Sequence, residues 1–326
     1  MPPRNFRLRN TTSAKTAPAK AEAESAVEKD ASNPDAFFPY IPYISATGVH
    51  ACLAAFTALF LPRTTLSLLI NLNPFQSQNS ADDGHPTTAP DALYLLTNSP
   101  LRTVAWLCVG MVVLQAWWAS WLRKWLYDTR ALKVGEDEAA DVTKQKLERR
   151  LLDRQQLDAF KNAAVATSVA SVAFHAIIVL FGAPMASHST HTYSLALLLA
   201  LLTVWTPAYA LGAPTLGSST EALLIRLTWI RLFAEVRPRT AIERAMVYPA
   251  IGAMLGCWSG AIPIGLDWDR PWQAWPLTPA YGAMSGYVLG SFAAVVVSGV
   301  THLARTDILS RARQLTTKKQ PKIRQR

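Results

Sequence analysis

The chain has 326 residues, half of them apolar and only 17% Asp, Glu, Lys or Arg, where soluble domains carry about a quarter charged. Its net charge of +10 is segregated: runs of roughly twenty residues with no charged side chain alternate with runs crowded by Lys and Arg, as expected where one buried charge costs about 2.5 to 3.5 kcal/mol at mid-bilayer. This pattern excludes an ordinary soluble domain and predicts an all-α polytopic membrane protein.

Residues 1–36 are polar, of mixed charge and without amphipathic period, so they cannot bury enough apolar surface to offset ordering entropy and are expected to be a disordered tail. They contain no apolar core of a cleavable signal peptide. A membrane domain follows over 37–305, with six spans near 43–61, 103–122, 163–183, 193–213, 245–264 and 280–300, each long enough as a helix to cross a core of about 30 Å. Residues 306–326 form a basic tail. Apart from Arg63, Arg102 and Arg270, every Lys and Arg falls in the N-terminal tail, in the loops after spans two and four, or in the C-terminal tail. The positive-inside rule therefore places both termini in the cytoplasm. Cys52, Cys108 and Cys257 each lie in a different apolar run, which suits packing and not a disulfide framework.

Clustered basic residues also mark nucleic-acid binding. Here they flank spans, as topology signals and anionic-lipid contacts do, with no accompanying nucleic-acid fold pattern; no nucleic-acid partner is expected. Two cytoplasmic helices are. Residues 143–161 carry Leu147, Leu151 and Leu152 on one face. Residues 218–238 open with Ser218 and Glu221 spaced as a capping box, and are read as an interfacial helix with Arg226 and Arg231 reaching headgroups.

His50 and His175 sit inside spans, where a neutral ring hydrogen-bonded between helices is the favoured reading over a functional one. His188 and His191 have H-x-x-H spacing in a short loop, but a zinc site would need further ligands. Pro207 is expected to kink span four, with Trp205 and Tyr209 filling the gap. No G-x-S-x-G, Walker loop, Rossmann fingerprint or D-G-x2-A-R constellation of CDP-alcohol phosphotransferases is present, and no cofactor or metal is expected.

The late part of the chain is the most distinctive. Gly252, Gly256 and Gly260 in span five, and Gly282, Gly286 and Gly290 in span six, recur at every fourth position. Such small-residue stripes let helices approach closely and predict a tight hairpin. The connecting loop "LDWDRPWQAWP" holds Asp267, Trp268, Asp269, Arg270, Trp272, Gln273 and Trp275. Three tryptophans suit the headgroup level and two prolines fix turns. Asp267 and Asp269 could alternatively form a D-x-D metal or phosphate-sugar site.

Residues 243–290, with L-D-W-D-R-P-W-Q-x-W-P at Leu266–Pro276 preceded by Tyr248-Pro249 and the glycine steps, resemble the C-terminal part of the PIG-F family of GPI-anchor biosynthesis proteins. The resemblance covers residues 37–305. It implies a noncatalytic, multi-pass subunit of the endoplasmic reticulum membrane that stabilises a large catalytic ethanolamine-phosphate transferase, the enzyme that adds phosphoethanolamine to mannose of the GPI precursor. On that reading spans five and six dock the partner's membrane helices through their glycine faces, and the seven loop residues either brace the hairpin or contact the partner, lipid or GPI precursor. Residues 62–100 and 128–161 depart from the family pattern, and Lys322 and Arg324 only partly match a dilysine retrieval signal. Two other readings stay open: a membrane transferase with its own lumenal Asp-x-Asp site, and a lipid or precursor transporter.

Overall fold

A computed structural model describes residues 39–63, 96–134, 142–184, 187–266 and 268–319. Among the described residues six helices are long and apolar enough to cross a membrane: Tyr40–Arg63, Pro100–Thr129, Gln156–Leu180, Ser189–Leu211, Ala241–Gly265 and Leu277–Arg311. No strand occurs among the described residues. The chain is thus an all-α, multi-pass membrane protein. The tail over 1–36 lies outside the described residues.

Span one is helix α1 (Tyr40–Leu59), and span two belongs to α2 (Pro100–Val134). Gly110 on α2 faces Thr57 of α1, where an added methyl would meet the threonine side chain. Span three is the second half of α3, a single helix over Val142–Leu180. The sequence reading separated residues 143–161 from span three; they join because residues 142–180 contain no Gly or Pro to interrupt the helix. α3 stops at Gly182, whose φ of +99° few other residues adopt. There Gly182 N–H donates to Val179 O and Ala183 N–H to Ile178 O, the Schellman arrangement that satisfies terminal carbonyls.

Span four is built in three pieces: α4 (Ser189–Ala200), a π turn (Leu201–Trp205) and α5 (Thr206–Leu211). Pro207 cannot donate a backbone hydrogen bond, and the wide turn just before it absorbs the misfit. Trp205 and Tyr209 are buried beside it. This span forms the centre of the bundle, with 78% of its apolar window buried, against 17% for span three at the margin.

Helix α6 (Thr220–Trp229) follows and continues as a π turn over Ile230–Ala234. Its cap is Ser219, whose Oγ accepts the Ala222 N–H. The expected Ser218–Glu221 box is therefore displaced by one residue, and Glu221 sits too early to close it. A capping box does exist at the start of α7 (Ala241–Ala261): Thr240 Oγ1 accepts Glu243 N–H, and the Glu243 carboxylate accepts Thr240 N–H, each at 3.2 Å. The same carboxylate binds both terminal nitrogens of Arg231, at 3.1 and 2.6 Å. Arg231 is thus tied to the start of span five, not extended to headgroups as expected. That hydrogen bond is the main reason its guanidinium is held above its ordinary pKa. Span six lies within α8, which runs from Leu277 to Lys319.

At one end of the bundle Tyr43, Trp118, Trp125, Ala245 and Val295 pack together. Arg244 is buried there and donates from Nε to Ser298 Oγ at 2.8 Å. At the opposite end Tyr281 of α8 donates to the carbonyl of Ala58, at 2.8 Å, near the C-terminus of α1.

Candidate functional site at the loop between spans five and six

The glycine stripes of α7 and α8 are turned against each other. An added Cβ on Gly256 would come within 3.1 Å of Gly286 Cα and still closer to the Gly282 carbonyl; Gly252 meets Gly286, and Gly260 meets Thr278 and Pro279. Gly290 meets Tyr248 and Pro249 at the other end. Backbone against backbone lets weak Cα–H···O contacts and dispersion hold the pair. The stripes thus serve this contact within the chain, and all six glycines keep part of their surface exposed.

The hairpin fixes both ends of the loop. After α7 the chain makes a 3-10 turn over Ile262–Gly265, and a second over Pro271–Gln273 leads to α8. Gln273 organises the space between. Its Nε2 donates to the carbonyls of Pro263 and Leu266, at 2.6 and 2.8 Å, and its Oε1 accepts Arg270 N–H at 2.8 Å. Two acceptors on one side and one donor on the other fix which way the amide faces. Trp275 is half-buried against the core, and its Nε1–H donates to Thr192 Oγ1 in the first turn of α4, at 3.1 Å. Thr192 is fully buried and passes a hydrogen bond on to the His188 carbonyl.

The seven candidate loop residues therefore divide. Gln273 and Trp275 brace the loop from beneath, and Trp272 is half-buried with its ring edge-to-face on Trp268 at 5.7 Å between centroids. Trp268, Asp269 and Arg270 are presented to the surroundings, with Trp268 54% exposed. Asp269 has φ +46°, a left-handed conformation that Asp tolerates better than most residues. Asp267 lies outside the described residues, so the D-x-D pair and any Asp267–Arg270 pairing do too.

The remaining candidates are scattered. His188 and His191 stand with ring centroids 5.1 Å apart, and His188 Nδ1 contacts Ser187 Oγ at 2.9 Å. Among the described residues no group of three or more His, Cys, Asp and Glu converges to hold a metal ion. His50 is buried among Trp117, Trp118 and Tyr287, and its Nε2 has no hydrogen-bond partner. It is held by aromatic packing where a hydrogen bond was expected. Next to it Gln115 Oε1 accepts from Thr206 Oγ1 at 2.6 Å and from Tyr287 OH at 3.4 Å. Thr192 and Arg244 were not singled out from sequence. No local pattern points to Thr192, which lies far from the loop in the chain, whereas T-x-x-E at Thr240–Glu243 is a local helix-start signal that the sequence reading passed over.

A six-span helical membrane protein, with a glycine-locked final hairpin that carries a braced, tryptophan-rich loop, is the class of molecule these features define. A family described as GPI biosynthesis protein family Pig-F matches residues 85–295, and the chain belongs to that family. It is 40% identical over 126 residues to glycosylphosphatidylinositol anchor biosynthesis protein 11 of Pyricularia oryzae, covering 39% of this chain and 42% of that one. It is 36% identical over 117 residues to the human GPI ethanolamine phosphate transferase, stabilizing subunit, covering 36% of this chain and 48% of the relative. A similar stretch of 133 residues is 41% identical to a PIGF/3-ketodihydrosphingosine reductase fusion protein of Schizosaccharomyces pombe, covering 41% of this chain and 24% of that protein. In the Pyricularia and human relatives the match spans a little under half of their length. No solved structure matches the chain.

Proposed function

We propose that this chain is a noncatalytic membrane subunit that stabilises a GPI ethanolamine phosphate transferase in the endoplasmic reticulum, and so supports addition of phosphoethanolamine to mannose of the GPI precursor. The observation that carries this reading is the likeness to the human protein named as that enzyme's stabilizing subunit. The loop supports it. Trp268, Asp269 and Arg270 form an exposed aromatic, anionic and cationic group on a fixed base, and preorganised groups bind with less ordering cost than mobile ones. Both termini lie in the cytoplasm and the loop faces the lumen, where it meets the catalytic subunit, with membrane lipid and the GPI precursor as further contacts.

The test is to isolate the tagged chain from native membranes in mild detergent, identify what co-purifies and assay phosphoethanolamine transfer. A large partner that carries all the activity, and is lost when this chain is depleted, is the expected result. Transfer by this chain alone would overturn the reading.

A further inference from the structure

At the end of the bundle where Arg244 is buried, α2 parts from α3 and span four to leave an open cleft of about 560 Å³, within the size range of ligand sites. Its walls change character along α2. Trp117 and Trp121 line one part, Arg123, Lys124, Tyr127 and Asp128 the next, with Tyr209 of α5 and Gln156 of α3 opposite.

Arg123 is the fixed point. Its guanidinium lies over the rings of Tyr209 and Tyr127, at 5.2 and 5.4 Å from the centroids. Nη1 donates to the Tyr209 carbonyl at 3.0 Å and Nη2 to Tyr127 OH at 3.1 Å. A cation held between two aromatic faces loses little freedom when an anion approaches. Lys124 stands beside it, exposed, and Asp128 lies one turn further on. Among the described lining residues the cleft carries two cations and one anion.

Trp117 and Asp128 are separated along the helix by roughly 16 Å, comparable to the half-thickness of a hydrocarbon core of about 30 Å. A molecule lying in the cleft would therefore meet aromatic surface inside the membrane and the side chains of Arg123 and Lys124 at the interface. We propose that this cleft binds an anionic glycerophospholipid of the surrounding leaflet, its phosphate between Arg123 and Lys124 and its upper acyl chain against Trp117 and Trp121. The inference does not depend on the partner proposed above, because it rests on α2, α3 and span four and not on the loop.

The test is native mass spectrometry of the full-length chain purified in mild detergent and supplemented with equal amounts of phosphatidic acid and phosphatidylcholine. Phosphatidic acid is expected to be retained preferentially, and Lys124→Gln to reduce that retention about fivefold, as the loss of one interfacial cation implies. Lys124→Arg should restore it. Among the described residues Lys124 makes no hydrogen bond through its side chain, so the variant separates binding from folding; Arg123→Gln is the stronger but structurally riskier companion. Glycerol phosphate without acyl chains should fail to displace the lipid. Equal retention of both lipids, retention unchanged in Lys124→Gln, or displacement by glycerol phosphate would each overturn the proposal.

Discussion

Trp275 and Thr192 join the loop between spans five and six to the first turn of span four through one hydrogen bond of 3.1 Å. Thr192 belongs to the most deeply buried span, so the loop is anchored to the centre of the bundle and not merely to its own hairpin. Trp275→Phe keeps the ring and removes the donor. It should lower stability by about 1 kcal/mol, the usual worth of such a bond, read as a fall in melting temperature of the detergent-purified chain.

Gln273→Ala removes a side chain that serves three backbone groups at once. Its loss should cost about 1–3 kcal/mol in the loop and raise amide hydrogen exchange at Arg270. Trp268→Ala, on the exposed side, should leave the melting temperature unchanged and reduce recovery of the partner. If both variants behaved alike, the division of the loop into brace and presented face would be wrong.

Asp269 offers a cleaner separation. Asp269→Gly suits its positive φ and deletes the carboxylate, so the fold should be kept while partner recovery falls, as for Asp269→Ala. Asp269→Val introduces a branched residue where the backbone is left-handed, at a cost of about 1–3 kcal/mol. Normal partner recovery in the glycine variant would show that the carboxylate plays no part in assembly.

Gly256→Ala should be severe, because the added methyl meets backbone atoms that cannot rotate away; overpacking of this kind costs about 1–3 kcal/mol, seen as a lower melting temperature or as aggregation on size exclusion. Gly48→Ala in α1 is the control. Nothing lies within 4 Å of that added methyl, and a helical glycine replaced by alanine should gain about 0.5–1 kcal/mol.

Glu243→Gln weakens the pairing that ties α6 to α7. Arg231 keeps its charge and has its partly buried carboxylate replaced by an amide. A loss of about 1–3 kcal/mol is expected, and Glu243→Asp, with the charge but a shorter reach, should recover only part of it. Thermal melting of the three proteins side by side checks the order.

The six spans were legible because burying charge in a bilayer is costly enough to write itself into composition. The small-residue stripes were legible because a four-residue period survives in one dimension. What the loop residues do was not. Three tryptophans look alike as letters, yet Trp268 is exposed and Trp275 bonds to Thr192, a difference set by a helix far away in sequence. Arg231 shows the same limit: its position suited a headgroup contact until Glu243, on the next helix, was brought beside it. Ser219 instead of Ser218 as the α6 cap is a one-residue error of the kind adjacent serines invite.

The glycine-locked pair has a mechanical consequence. Contacts between side chains can yield by changing rotamer, but α7 and α8 meet through main-chain atoms, which have no such adjustment. The two helices therefore behave as one stiff lever, with the Trp268–Arg270 tip at one end and the Arg244–Ser298 contact at the other. A tilt of one helix would therefore carry the other with it.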